Sequence, residues 1–521
     1  MVETEVQTEV PTEFGVNEIA LEVPGRLPEG LGLTPTGILR AMRAPSAAAV
    51  ASLLAGCPAP EPFNPDGPMP VLPESLKRLV ARVSFGINRE EAVRALELGY
   101  SAYLEYQLDH LAIDDGPVDR SLARFSTLDD SPLRRWRALE RGDTTPIYEF
   151  YAATFLRGAY SRRTLFERMV EFWSDHFNIF FEAEAQQLLK PLDDRDVIRR
   201  HALGAFPALL RASAQSPAML LYLNNASSQV GAPNQNYARE LMELHTVGVD
   251  NFSQQDVQEV ARALTGWSID YNINAASFGS FKFYPELHDF EEKLVLGKRL
   301  AAGRGMVDGE DVLDLLSLDP DVAPMTARFI GRKLAVHFWG YDPPESLVEE
   351  IVGAYLDSDG DIKAMLRVVL REDWLMQAPP KLKRPYHYAL SALRARPGTI
   401  KRYDELAYII GTMEHLPFNW APPNGYPDSL AYWGGYLMPR WTYGIWLVYQ
   451  EGAVDLDWTP YREAPDMESF LDRIEADFFQ HAMPAEHRAA LADFLAPAPL
   501  DLFRRVEALS LAIGSAKFQW Y

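Results

Sequence analysis

The chain has 521 residues, enough for two to four domains or for one large helical domain with additions. Its 73 acidic residues against 50 basic ones leave a formal charge of −23, which repels phosphate backbones and argues against nucleic acid as a partner. A single cysteine excludes an internal disulfide framework and any Cys-rich zinc or iron–sulfur site, so a metal would need His, Asp and Glu ligands.

Residues 1–41 carry seven Glu and little apolar periodicity, and read as a disordered or non-mature leader. Residues 42–57, MRAPSAAAVASLLAGC, have the layout of a bacterial lipoprotein signal peptide. Arg43 precedes a short apolar run, and small residues precede Cys57, the residue that such a signal would lipidate. In that reading Met42 is the start, and residues 58–75 form a Pro-rich tether that proline keeps extended. The protein would then be exported, as a periplasmic or cell-surface lipoprotein that meets the membrane through its anchor only. The same stretch also reads as a weak Ala-rich helix with one inert thiol, since free Cys is often a small core residue. No apolar run approaches the ~20 residues that cross a bilayer as a helix.

From Leu76 to Tyr521 the pattern predicts a single large, mainly α domain with at most a small β-hairpin. LKRLVARVSFG is amphipathic and ends at Gly86; the next helix has Asn88 as its cap and Gly99 as a stop. Further helical periodicity runs over 147–181, 194–212, 236–248, 253–267, 321–339, 345–370, 384–395, 435–451 and 468–515. FGSFKFYP and the neighbouring LVLGK are expected to pair as the hairpin. Residues 415–441, HLPFNWAPPNGYPDSLAYWGGYLMPRW, form a long Pro/Gly/aromatic loop, and loops of that length inside helical domains tend to carry function.

Four stretches could hold chemistry. In RRTLFERMVEFWSDHFNIFF, residues 162–181, His176 falls on the apolar stripe with Trp173 and Phe177, and Asp175 adjoins it. A half-buried imidazole beside a carboxylate suits a base or a ligand, although such a His is often a satisfied core residue. In NQNYARELMELHTVGV, residues 234–249, Tyr237, Leu241 and Leu244 are the expected packing stripe. Asn236, Glu240 and Glu243 share another face, and Arg239 lies four residues before Glu243 as an ion-pair partner or a binding residue. Two carboxylates a turn apart suit acid–base work or a hard divalent cation, and equally a solvated face. His288 and Asp289 adjoin in a loop, and turns favour such residues anyway. Trp420, Tyr426, Trp433 and Trp441 could stack a flat ligand such as a sugar, or could plug the long loop onto the helices.

No GxGxxG, P-loop, HExxH or GxSxG motif occurs, which leaves nucleotide-cofactor, NTPase, zincin and α/β-hydrolase readings without support. ERMVEFWSDHF, QNYARELMELHTVGV with QQDVQEVARALTGW, HDFEEKLVLGK, TARFIGRKLAVHFWG, KRPYHYALSALRA and APPNGYPDSLAYWGG occur in this order. Together they resemble the bacterial family catalogued as domain of unknown function 1800, from about Leu76 to the C-terminal region. At Ala323-Pro324-Met325 the chain departs from that family's usual His-Pro-Ala, so no role for a histidine there carries over. The resemblance implies a large, mainly helical and often exported protein, with no reaction attached. Two functions are therefore expected. One is an acid–base or metal-assisted enzyme, hydrolysing or eliminating on an extracytoplasmic polymer such as a glycan, in which Asp175, His176, Asn236, Glu240 and Glu243 converge and His288-Asp289 close the cleft. The alternative is a non-catalytic, lipid-anchored protein that docks a protein or polysaccharide through residues 415–441.

Overall fold

Residues 67–183, 185–449, 452–497 and 499–521 are described by a computed structural model. The leader, the signal-like stretch, Cys57 and the first part of the tether lie outside the described residues. The last part of the tether packs onto the body: Met69 and Leu72 are buried, and the Met69 carbonyl lies 2.9 Å from His481 Nε2.

Helix dominates, and the longest periodic segments break where the chain offers the backbone a better partner. The 147–181 segment is two helices, Thr145–Tyr160 and Thr164–His176. Between them Ser161 Oγ and the Arg162 N–H both donate to the Asp115 carboxylate, at 2.7 and 2.9 Å, which takes the backbone off the helical path. The 345–370 segment breaks at Gly360, where φ is +81°, and Asp361 then caps Ile362–Val369 by accepting from Lys363 and Ala364. The 468–515 segment is three helices, Met467–Phe479, Ala485–Leu495 and Leu502–Gly514, with Asp466 and Asp501 as caps.

The strands form three antiparallel pairs: β1 (Trp267–Ile269) with β2 (Phe281–Phe283), β3 (Lys293–Val295) with β4 (Lys298–Leu300), and β5 (Gly398–Ile400) with β6 (Val454–Leu456). The expected pairing of FKF with LVLGK is replaced. FKF pairs with Trp267–Ile269, and LVLGK closes on itself over Leu296-Gly297, both at positive φ, as a two-residue hairpin turn demands.

Two large sets of buried side chains fill the molecule. One draws on residues 69–378 and includes Leu165, Trp173, Tyr237, Val260 and Leu334. The other combines Phe150, Tyr151 and Phe155 with residues 386–518. They meet along the Thr145–Tyr160, Thr164–His176 and Pro385–Arg394 helices, and there the contacts turn from apolar to ionic.

Candidate acid–base site

On the Thr164–His176 helix the apolar stripe is buried as expected, but the acidic stripe is not solvated. Glu167 pairs with Arg199 at 2.9 Å, and Glu171 pairs with Arg168 at 2.6 Å. Arg384 joins Glu171 to Asp175, with Nη1 2.6 Å from Asp175 Oδ2. Asp175 Oδ1 makes no hydrogen bond among the described residues, and the side chain keeps 20% exposure. Burial pushes this carboxyl up to about 6, against the pull of Arg384 and with the repulsion of Glu171.

His176 has both ring nitrogens engaged. Nε2 is 3.1 Å from the His245 carbonyl, which can only accept, so Nε2 carries the proton. Nδ1 is then the acceptor that faces Lys333 Nζ at 2.9 Å. Burial first, then the Lys333 charge, hold this imidazole well below its ordinary value, so it stays neutral. His245 stacks obliquely beside it, ring centroids 6.0 Å apart, and is pushed down to about 3 by burial and Lys333. Lys333 has no carboxylate partner within salt-bridge distance among the described residues. Burial lowers its ammonium to about 8, and Asp175 acts in the opposite direction. Lys333 stands on the Ala323–Phe338 helix, 157 residues from His176, so no local spacing announces the pair. It is the candidate site residue that sequence reasoning missed.

The Asn234–Gly248 stretch holds the carbonyl that fixes His176. Asn234 Oδ1 caps the Gln235–Glu240 helix, and Leu241–His245 then widens into a π turn. Thr246 Oγ1 closes the turn on the Leu241 carbonyl at 2.8 Å, and Gly248, at φ +81°, donates to Met242. Tyr237 and Leu241 are buried as expected, while the widened turn leaves Leu244 only half-buried. Asn236 is exposed. The expected Arg239–Glu243 pair does not form, because Arg239 turns to the Gln254 side chain. Glu240 and Glu243 are half-buried, and burial plus their mutual repulsion raise Glu240. Glu240 also acts on Tyr222, whose hydroxyl donates to the Ala421 carbonyl of the aromatic loop.

That loop is fastened directly above Asp175. Asn178 Nδ2 donates to the Trp420 and Pro422 carbonyls at 2.8 and 2.7 Å. Gly425 has φ +72°, and a Cβ there would lie 2.0 Å from the Asp175 carbonyl oxygen, so only glycine fits. Tyr426 and Trp433 are buried plugs rather than a stacking platform. The Tyr426 hydroxyl donates to Leu416 O at 2.8 Å, and Trp433 Nε1 donates to Pro427 O at 2.6 Å. Trp420 is half-buried with its Nε1 on Asn424, whereas Trp441 is exposed and sits on the Leu437–Tyr449 helix. Beneath Tyr426 a cavity of about 40 Å³ is lined by Glu171, Ser174, Asp175 and His415, room for a water or two.

His288 and Asp289 do not close this cleft. His288 Nδ1 lies 2.8 Å from the Thr265 carbonyl and Nε2 faces Asp308, which pairs with the buried Lys293 at 2.8 Å. Asp289 is clasped by Arg262 at 2.8 and 3.2 Å. Lys293–Asp308 ties the β3–β4 hairpin to the Val307–Leu318 helix, Arg262–Asp289 ties the loop before it to the Gln254–Ala263 helix, and neither His288 nor Asp289 is left free to serve Asp175. Among the described residues no group of three or more His, Cys, Asp or Glu is arranged to hold a metal ion, so the expected divalent cation has no ready cage there.

Searches of curated proteins and of solved structures return no match. Residues 78–520 match the family described as protein of unknown function (DUF1800), a span that takes in Asp175, His176, His245, Lys333, Arg384 and the loop above them. The chain belongs to the DUF1800 family.

Proposed function

We propose that the protein is an acid–base enzyme, hydrolysing or eliminating on an extracytoplasmic polymer such as a glycan, with Asp175 and Lys333 as the proton-transfer pair. The observation that carries this reading is a half-buried lysine without a carboxylate in salt-bridge distance among the described residues, aimed by a neutral histidine and placed within electrostatic reach of a carboxylate with a free oxygen. Their values of about 6 and about 8 leave Asp175 as carboxylate and Lys333 as ammonium at neutral pH. Asp175 Oδ1 then takes a proton from water or from the substrate carbon, and Lys333 gives one to the leaving oxygen. His176 is a positioning residue: with Nε2–H fixed on His245 O it offers Lys333 one acceptor and exchanges no proton itself. Glu240, Glu243 and Tyr222, the last bonded to the loop at Ala421, would add hydrogen bonds to a hydroxyl-rich substrate. Export and anchoring through Cys57 belong to this reading and rest on the layout of residues 42–57.

The test is a screen of polysaccharide substrates, comparing wild type with Asp175→Asn and Lys333→Met at matched folding. Wild-type turnover should follow a bell-shaped pH profile with limbs near 6 and 8. Each variant should lose roughly 10²–10⁴-fold in kcat. Undiminished turnover in both variants would remove these residues from the chemistry.

A further inference from the structure

The Leu437–Tyr449 and Leu502–Gly514 helices run antiparallel: Trp441 lies against Gly514, Gly444 against Ser510 and Ile513, and Tyr449 against Phe503. The inner sides of the pair are buried, but the outer side is apolar as well. Met438 is 66% exposed, Trp441 48%, Ile445 51% and Tyr449 44%, with Phe503 at 59% and Leu511 at 49% beside them. Residues 441, 445 and 449 are one turn apart each, and 503 and 511 are two turns apart, so each set forms one face. The half-buried Glu507 and Arg504 are the charges within that pattern, and Arg504 turns to the Phe494 carbonyl.

With side chains of roughly 150–250 Å² each, these exposures amount to about 500–800 Å². That is at the top of, or above, the ~300–600 Å² of the largest patch on an ordinary monomer, and two such faces together overlap the ~1,200–2,000 Å² of a stable interface. We infer that this face joins two copies of the chain, four helices packing across a twofold axis. A second copy fits the face better than a bilayer does. Aromatic residues and Met are the residues of interface cores. A membrane-surface face would carry Lys and Arg along its edge, whereas Arg440 and Arg505 are buried, Arg504 is held by the Phe494 carbonyl and the whole chain bears −23. Two such acidic chains repel over most of their surface, and a face with one acidic and one basic residue is where they can approach. The inference is independent of the acid–base reading, because none of these residues contacts Asp175, His176 or Lys333.

The test is sedimentation velocity on the full chain carrying Cys57→Ser, which keeps lipidation out of the experiment. This chain should sediment as a dimer at micromolar concentration. Adding Ile445→Lys and Leu511→Lys, both on exposed positions, should weaken association at least 100-fold with unchanged circular dichroism. Should that variant misfold, Met438→Lys, at the most exposed position, takes its place and should also weaken the dimer. A monomer at about 100 μM overturns the inference, as does a dimer that the lysine variants leave intact. Flotation of a monomeric chain with phosphatidylcholine vesicles, lost in the lysine variants, would overturn it in favour of a bilayer.

Discussion

Lys383 shows what an uncompensated charge does at the scale of one residue. Its Nζ donates to the Phe518 carbonyl at 2.7 Å and to Ser391 Oγ at 3.1 Å, over the Phe518 ring. Burial, then repulsion from Lys517 and Arg440, pulls it down to about 7 from an ordinary 10.5. Between those values the unfolded chain holds a proton that the folded chain lacks, so stability climbs as pH rises from 7 towards 10.5. Below 7 both states are protonated and the full penalty is present. Lys333 adds the same sign above about 8. Urea midpoints should therefore rise between pH 7 and 9, and Lys383→Met should flatten much of that rise; an unchanged slope would mean the folded amine titrates normally. The sequence disclosed Asp175 and His176 because helical phase puts one on each side of a stripe boundary. It did not disclose Lys333 or Arg384, whose meaning comes from partners 157 and 209 residues away. Nor could a Pro/Gly-rich run tell that Tyr426 and Trp433 point inward, since composition is the same for a plug and a platform.

At the scale of elements, the loop over the site depends on one backbone contact. Gly425→Ala would put a methyl group 2.0 Å from the Asp175 carbonyl in a left-handed conformation, so helix and loop must separate. A loss of about 2–4 kcal/mol is expected, by sterics plus strain, with faster proteolysis confined to residues 415–441. Wild-type protection there would show that the loop yields without lifting. Most helices were legible as helices, but their breaks were not. Periodicity continues across Ser161 and Arg162, and only the distant Asp115 reveals why the chain stops there. The π turn at Leu241–His245 was equally hidden, for an extra residue in one turn leaves the apolar pattern nearly intact. It changes which carbonyl faces His176, and with it the fate of the histidine.

For the molecule as a whole, two apolar cores are joined through ion pairs, with Arg384 on one side and Glu171 and Asp175 on the other. Arg384→Met removes the shared cation, which leaves Asp175 unpaired and Glu171 with Arg168 alone. A cost of about 3–5 kcal/mol is expected from denaturant unfolding, most of it recovered when Glu171→Gln and Asp175→Asn are added. Failure of that rescue would assign the loss to packing instead. The mainly α architecture was legible from period alone, whereas a seam made of charges gives no period to read. The small cavity beneath Tyr426 lies within that seam, between Glu171, Ser174, Asp175 and His415. Voids are what hydrostatic pressure acts on, because unfolding or hydration that eliminates them lowers the volume of the system. Compression therefore works first where the two cores meet, and the loosened state it favours is one in which Asp175 gains water while the apolar interiors on either side stay dry.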